Sequence, residues 1–207
     1  MRGLFVPAFG APADLYAAAL PSDWVALRQP RFAGTRGALP VYADWLRAVL
    51  AREREPVEIG GHSMGAALAV LAAASEPRRV KRLLLVGPAG LPLRKPMSHS
   101  LRDFGRQVLA GDYPRAIYRA VAEAVAAPRS AFRLAHAVRE LDLSHELDAL
   151  RAAGVHVTVV GCVSDTLTPS GHCREVARLA GARYDEVRRS GGHMWMLRHP
   201  STFAALF

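Results

Sequence analysis

One stretch of the chain, residues 57–75, constrains the fold more than any other. It reads VEIGGHSMGAALAVLAAAS, in which a short β-branched run ends in two glycines and is followed at once by a helical pattern rich in alanine. Between the two lies the sequence Gly61-His62-Ser63-Met64-Gly65. The pattern G-x-S-x-G between a strand and a helix predicts a sharp turn, the nucleophile elbow, that exposes the serine hydroxyl at the edge of a sheet.

The residues around this turn suit a reactive serine. Such a turn crowds the serine backbone between strand and helix, so only residues without a Cβ atom fit at Gly61 and Gly65. The hydroxyl of Ser63 then lies beside the N-terminus of the helix, where free N–H groups favour negative charge. We therefore interpret Ser63 as a candidate nucleophile.

Length and composition are those of one globular domain. A chain of 207 residues with 51% apolar and 22% charged residues can bury a sizeable core. No apolar stretch reaches the roughly 18 residues that a membrane-spanning helix needs. The N-terminus runs directly into a core-like strand without the pattern of a secretory signal. We therefore expect a cytoplasmic protein with no membrane partner.

Cysteines and charges exclude several other classes. Cys162 and Cys173 do not form a disulfide framework, and their spacing with His172 is not that of a zinc site, so no metal and no organic cofactor is predicted. The net charge is +9, but the basic residues are scattered without aromatic interleaving, which argues against nucleic-acid binding. A basic surface would steer an anionic substrate or an acidic carrier protein.

Strand and helix patterns alternate along most of the chain. Strands are predicted at Leu4–Val6, Trp24–Leu27, 57–61, Val80–Val86, Val155–Val160 and Arg183–Val187. Helices are predicted at Asp14–Leu20, Val41–Glu55, Met64–Ser75, His172–Ala180 and Ser201–Phe207. Short loops between alternating elements predict a three-layer α/β fold, with a mainly parallel sheet of about six strands and helices on both faces.

The alternation is interrupted once. Three helical patterns without an intervening strand occur at Ser98–Ala110, Tyr113–Ala126 and Ser130–Leu141. A block of helices between two strands of one sheet indicates an insertion that covers one end of the sheet. The predicted organisation is a single domain whose core is formed by residues 1–90 and 146–207, with a helical insertion at 91–145.

The loops after the last two predicted strands carry an acid and a base. Asp165 lies in the sequence GCVSDTLTP, and His193 lies in GGHMWMLRHP. In parallel α/β sheets functional groups gather at the carboxyl ends of the strands, where Ser63 is also expected. A serine hydroxyl needs a base to take its proton, and an imidazole needs a carboxylate to fix its tautomer. The order Ser63, Asp165, His193 is the order that follows a nucleophile elbow.

Other aspartates and histidines compete for these roles. Asp142 and Asp148 lie in or just after the helical block, and Asp185 lies within a strand. His62 belongs to the elbow itself, and among the other seven histidines only His193 follows a strand after two glycines. The remaining six are His99, His136, His145, His156, His172 and His199. The combination in chain order favours Asp165 and His193.

These motifs together resemble those of the α/β-hydrolase superfamily over nearly the whole chain. GHSMG matches the elbow, GCVSDTLTP is similar to the acid loop with one extra residue, and GGHMWMLRHP is similar to the histidine loop. The resemblance implies a Ser63–Asp165–His193 triad and identifies residues 91–145 as a helical cap over the substrate pocket.

The chain departs from the family pattern at its N-terminus. The family usually has His-Gly after its first long strand, where this chain has Pro7-Ala8-Phe9-Gly10, and the two usual N-terminal antiparallel strands are not predicted. If Pro7-Ala8 replaces His-Gly, the resemblance implies that the backbone N–H groups of Phe9 and Met64 form the oxyanion hole. The stretch LFVPAFGAPADLYAAALP is also similar to type II thioesterases.

The leading hypothesis is a serine hydrolase that cleaves a carboxylic ester through an acyl-enzyme on Ser63. Its apolar pocket is predicted to include Phe9, His62, Met194 and Trp195. Three alternatives stay open: a thioesterase acting on acyl groups carried by coenzyme A or a carrier protein, an enzyme that uses the same triad to cleave a C–C bond, and a non-catalytic small-molecule binding protein on the same fold.

Overall fold

A computed structural model provides the three-dimensional structure of the chain. It describes residues 3–93, 98, 102, 105, 106 and 116–207. The predicted helix Ser98–Ala110 and the start of the predicted helix Tyr113–Ala126 therefore lie largely outside the described residues.

Six strands form a single sheet in the described part of the chain. They are β1 Gly3–Val6, β2 Trp24–Ala26, β3 Val57–His62, β4 Val80–Val86, β5 His156–Cys162 and β6 Arg183–Val187. Their order is β2-β1-β3-β4-β5-β6, and every pairing among them is parallel. The predicted α/β class and the sheet of about six strands are confirmed.

Strand register aligns the carboxyl ends of the strands along one edge. Gly61 pairs with Val6 on one side, and His62 pairs with Val86 on the other. Val86 is in register with Val160, two residues before β5 ends. The loops after β1, β3, β4 and β5 consequently leave the sheet next to one another.

Helices cover both faces of the sheet. They are α1 Asp14–Ala17, α2 Phe32–Thr35, α3 Leu39–Leu50, α4 Met64–Ser75, α5 Ala116–Ala126, α6 Pro128–Arg139, α7 Ser144–Ala152, α8 Ser170–Ala180, α9 Trp195–Arg198 and α10 Pro200–Ala204, with 3-10 turns at Pro77–Arg79 and Gly192–Met194. One core contains side chains of α3, α4, α7 and α8, and the other contains side chains of α1, α9 and α10. Helix α4 is buried almost all round, which its small alanine side chains permit.

The structure corrects several predicted boundaries. Helix α3 begins at Leu39 rather than Val41, because Pro40 is tolerated in a first helical turn, and it ends at Leu50, where the chain turns back toward β3. Helix α6 ends at Arg139 rather than Leu141, and the last helix ends at Ala204.

Helix α7 is an addition that the sequence patterns did not indicate. Its buried residues, Leu147 and Leu150, belong to the first core, together with side chains of α4 and α8. Its first two residues fall inside the segment predicted as the insertion. The division between core and insertion at residue 145 itself stays a prediction.

Candidate active site

The turn between β3 and α4 has the strained geometry expected of a nucleophile elbow. The backbone of Ser63 has φ 55° and ψ −119°, a conformation rare for a residue with a side chain. A Cβ atom at Gly65 would lie 2.1 Å from the Val6 carbonyl oxygen, and one at Gly61 would lie 2.6 Å from the Ala66 nitrogen. The two glycines that flank Ser63 therefore cannot be replaced without moving backbone.

Ser63 is also the one accessible position in its neighbourhood. Every residue from 59 to 70 is buried except Ser63, which is half-buried. Its amide donates to the Val86 carbonyl at 3.0 Å, and its carbonyl accepts from Ala89 N–H at 3.2 Å. The elbow is thus fixed by its neighbours and still presents the serine to the surface.

Asp165 and His193 form a direct hydrogen bond in a buried site. His193 Nδ1 lies 2.8 Å from Asp165 Oδ2, and the two residues are 5% and 4% exposed. A carboxylate only accepts, so Nδ1 carries the proton, and Nε2 of the neutral imidazole is the basic nitrogen. The structure brings together the acid and the base predicted from sequence.

Asp165 is held in its charged form. Burial alone would raise the pKa of its carboxyl, but the His193 imidazole and the hydrogen bonds from Thr168 hold the pKa below the usual aspartate value. Oδ1 accepts N–H bonds from Leu167 at 2.9 Å and Thr168 at 3.0 Å, and Thr168 Oγ1 donates to Oδ2 at 2.8 Å. The carboxylate is therefore fixed in position as well as in charge.

Two contacts connect this pair to the elbow. The His62 ring packs against the His193 ring with centroids 4.5 Å apart and planes inclined by 37°. A Cβ atom at Gly87 would lie within 3.5 Å of Asp165 Oδ2 and His193 Cε1, and Gly87 follows Val86, which binds the Ser63 amide. Ser63 thus follows His62, which packs on His193, and its amide binds Val86, whose neighbour Gly87 lies against Asp165 and His193.

The competing residues are occupied elsewhere. Asp142 accepts hydrogen bonds from Ser144, Asp148 pairs with Arg151, and Asp185 pairs with Arg183. Cys173 is fully buried, and burial raises the pKa of its thiol to about 12, so it is not a thiolate nucleophile at neutral pH.

Comparisons with known proteins identify the family of the chain. A sequence model of the Alpha/beta hydrolase family matches residues 4–206. The chain belongs to this family. Among curated proteins, pyrrolizixenacetamide deacetylase from Xenorhabdus hominickii is 27% identical over 218 residues, which span 91% of this chain and 80% of the deacetylase.

Solved structures extend the family likeness to three dimensions. An esterase from Exiguobacterium antarcticum superposes with a TM-score of 0.78 at 16% identity, covering 100% of this chain and 90% of the esterase. The enol-lactonase from Burkholderia xenovorans gives 0.73 at 18% identity, covering 99% and 89%. At these identities the likeness establishes the α/β-hydrolase fold.

The loop after β1, residues 7–13, contains Pro7-Ala8-Phe9-Gly10, the sequence discussed above as a replacement for His-Gly. We refer to it as the first loop. It approaches the N-terminus of α4 closely, since the Pro7 carbonyl would lie 2.3 Å from a Cβ atom at Gly65. Gln29 Nε2 donates to that carbonyl at 2.5 Å, and Ala11 N–H donates to the Ala8 carbonyl at 3.0 Å. The assignment of Phe9 and Met64 as oxyanion donors stays a prediction.

The predicted pocket residues differ in their surroundings. Phe9 is half-buried and its ring packs 4.8 Å from that of Phe32. His62, Met194 and Trp195 are at most 3% exposed, and Met194 and Trp195 belong to the second core. His62 packs on His193, whereas Met194 and Trp195 pack within the second core. The role of all four as pocket residues stays a prediction.

A cavity of about 1210 Å³ opens between the first loop, the segment after β2 and helix α5. Gly10, the residue after Phe9, is part of its lining. Its charged lining residues are Asp14, Arg28, Arg31, Arg119 and Glu123. Asp14 forms an ion pair with Arg119, and Glu123 accepts the Phe32 N–H at 2.9 Å. The lining therefore contains three arginines and two carboxylates, which leaves a surplus of one positive charge.

Sequence reasoning missed two residues at the site. Thr168 bonds Asp165 and lies 3.3 Å from His193 Nδ1; its position three residues after the aspartate is a recognisable turn pattern. Tyr16 contacts His62 from another part of the chain, and no local sequence pattern predicts that contact.

The described residues contain neither a metal-binding cluster nor a membrane-spanning helix. Within them, no group of three or more histidine, cysteine or acidic side chains is arranged to hold a metal ion. No helix in the same part of the chain has the length and apolar character to cross a membrane.

Proposed function

We propose that the protein is a serine hydrolase that cleaves carboxylic esters through an acyl-enzyme on Ser63. The observation that carries the proposal is an accessible serine with φ 55° at a helix N-terminus, preceded by a residue that packs on a buried histidine, which is hydrogen-bonded to a charged aspartate. This combination supplies a nucleophile, a base and a group that orients the base.

The proposed reaction begins with attack by the Ser63 hydroxyl oxygen on the ester carbonyl carbon while His193 Nε2 takes the hydroxyl proton. The Asp165 carboxylate stabilises the imidazolium that forms. The imidazolium then gives its proton to the departing alkoxide, which leaves as the alcohol. Water, deprotonated by His193, attacks the acyl-enzyme, and the acid product departs as Ser63 regains its proton.

The negative oxygen of each tetrahedral intermediate needs donors. We assign this role to the backbone N–H groups of Phe9 and Met64, because the first loop lies against the N-terminus of α4. Backbone donors do not depend on the side chain, so the absence of His-Gly is compatible with a working oxyanion hole. One such donor is worth roughly 10²- to 10³-fold in rate.

A substrate panel tests the proposal. Wild-type protein should hydrolyse short p-nitrophenyl esters, and Ser63→Ala should reduce kcat by about 10⁴-fold or more. Ser170→Ala is the matched control, because Ser170 also begins a helix that follows a strand, and it should retain activity. Binding of an ester that stabilises the folded protein without turnover would instead indicate a non-catalytic binding protein.

Acyl thioesters are a second candidate substrate, favoured by the arginine surplus of the cavity beside Gly10. Coenzyme A and carrier-bound pantetheine carry phosphate, which Arg28 and Arg31 would attract. Replacing both arginines with glutamine should raise KM for an acyl-coenzyme A several-fold and leave a p-nitrophenyl ester unaffected. The control replaces Arg52 and Arg54, exposed residues before the opposite end of β3. Equal effects of the two pairs would contradict this candidate.

A further inference from the structure

Tyr16 and His62 are buried polar residues for which the proposed reaction has no use. Both are 0% exposed, and the Tyr16 hydroxyl lies 2.7 Å from His62 Nδ1. The same hydroxyl accepts the Ala8 N–H of the first loop at 3.3 Å. One phenol therefore connects the first loop with the residue that precedes Ser63.

We propose that Tyr16 and His62 form a positioning pair that holds the first loop, the elbow and the His193 ring in one arrangement. The inference rests on the proposed function, because it assigns these two residues to the same reaction. Neither residue contacts the reacting atoms in this account; both act through Ala8 and His193.

The hydrogen-bond directions follow from the chemistry of the groups. Ala8 N–H can only donate, so it uses a lone pair of the Tyr16 oxygen. The Tyr16 hydroxyl then donates its single proton to His62 Nδ1, and the neutral His62 ring carries its own proton on Nε2. His62 Nε2 is buried without a hydrogen-bond partner among the described residues, and the opposite direction would leave the phenolic proton unpaired as well.

Burial keeps both partners in the form that this bond requires. It raises the pKa of the Tyr16 hydroxyl and lowers the pKa of His62 well below the ordinary histidine value. The titratable groups near His62 are Tyr16, His193 and Asp165. A neutral His62 ring can pack 4.5 Å from His193 without repelling the imidazolium that forms there during the reaction.

The first test reads the tautomer of His62 and does not need activity. Nitrogen NMR of protein labelled in histidine should show, at neutral pH, one ring with unprotonated Nδ1 and protonated Nε2 whose signals disappear in His62→Asn. The opposite tautomer, or a charged His62 ring, would overturn the inference. This result stands even if Ser63 proves unreactive, so failure of the inference is distinguishable from failure of the proposed function.

The second test measures catalysis. Tyr16→Phe keeps the ring packing on Phe5 and removes only the hydroxyl; it should lower kcat by about 10-fold, with KM nearly unchanged, because misplacement of catalytic groups costs rate. Tyr42→Phe is the matched control, since Tyr42 is equally buried and bonds Thr35 away from the site. An unchanged kcat in Tyr16→Phe, or equal losses in the two variants, would contradict the pair.

A double-mutant cycle tests whether the two residues act together. His62→Asn keeps a neutral acceptor near the position of Nδ1, whereas His62→Leu removes it, so the asparagine variant should retain more activity. Adding Tyr16→Phe to His62→Leu should cost little beyond the leucine change, because the bond is already lost. Independent losses that multiply in the double variant would show that Tyr16 and His62 do not form a pair.

Discussion

Two loops at the carboxyl edge of the sheet are held in place by different interactions. The acid loop, residues 163–169, is organised around the charged Asp165, which accepts bonds from His193, Thr168 and Leu167. The first loop is organised around neutral groups, namely the Tyr16 hydroxyl, the Gln29 amide and its own backbone.

The difference explains which loop resembles its family in sequence. In the acid loop a side chain performs the proposed chemistry, so the residue type is dictated and its motif can be read. In the first loop the proposed donors are backbone N–H groups, so many sequences can provide them. The contrast predicts that substitutions in the acid loop act through the charge of Asp165, whereas substitutions around the first loop act through the shape and packing of neutral groups.

The largest expected effect comes from neutralising Asp165. Asp165→Asn should keep the fold and reduce kcat by about 10⁴-fold, because the amide favours the wrong tautomer of His193. Asp142→Asn removes an exposed carboxylate that bonds only Ser144 in the described structure, and it should leave the rate unchanged. The measurement is the rate of ester hydrolysis by the two variants. Comparable rates would show that Asp165 is not the carboxylate that orients His193.

Gly65→Ala should disrupt the first loop by shape alone. Its Cβ atom would lie 2.1 Å from the Val6 carbonyl oxygen and 2.3 Å from that of Pro7. We expect the free energy of unfolding to fall by about 3 kcal/mol, measured by urea denaturation. Gly171→Ala, also at the second position of a helix, meets no atom within 4 Å and should be neutral or stabilising. Similar losses in both variants would contradict the close approach.

Thr168→Val removes the hydroxyl that donates to the Asp165 carboxylate in the acid loop and keeps the shape of the side chain. Loss of the hydroxyl bond to the Asp165 carboxylate should lower the free energy of unfolding by about 2 kcal/mol. Thr35→Val removes a buried hydroxyl that bonds neutral partners, so its loss should be about 1 kcal/mol. Urea denaturation of both variants gives the comparison, and the reverse ranking would contradict a charge-assisted bond.

The neutral state of His62, which bonds Tyr16 beside the first loop, should affect the pH dependence of stability. Because the folded protein lowers the pKa of His62 below 6.5, the unfolded chain binds more protons below that pH, and stability falls as pH falls. His62 should contribute a slope of about 1.4 kcal/mol per pH unit. The slope should be smaller in His62→Asn by this amount, while His172, whose pKa is also lowered by burial, contributes equally to both proteins. Identical slopes would mean that His62 is not held neutral.

Sequence alone was sufficient for the parts of the molecule that depend on local patterns. Strands β4 and β6 and helix α4 begin and end at the predicted residues. Helix α4 is an alanine-rich run, β4 ends in the apolar run LLLV before Gly87, and the charged strand β6 is bounded by the turn residues Gly181 and Gly191. A motif order and two strand ends predict Asp165 and His193 as the acid and the base. Their direct hydrogen bond agrees with that prediction.

Contacts between distant segments were not predictable in the same way. Helix α7 has a mixed pattern, and its helical form is favoured by burial of Leu147 and Leu150 in the core that it shares with α4 and α8. Tyr16 meets His62 across 46 positions of sequence, so only the packed fold reveals their bond. Met194 and Trp195 follow His193 directly, but the fold places both in the second core.

A fluorophosphonate probe tests most directly whether the fold activates Ser63. Intact-mass analysis should show a single adduct on the wild-type protein, mapped to Ser63 after digestion, and no adduct on Ser63→Ala. A folded wild-type protein that forms no adduct, or a Ser63→Ala variant that still forms one, would contradict the activation of Ser63.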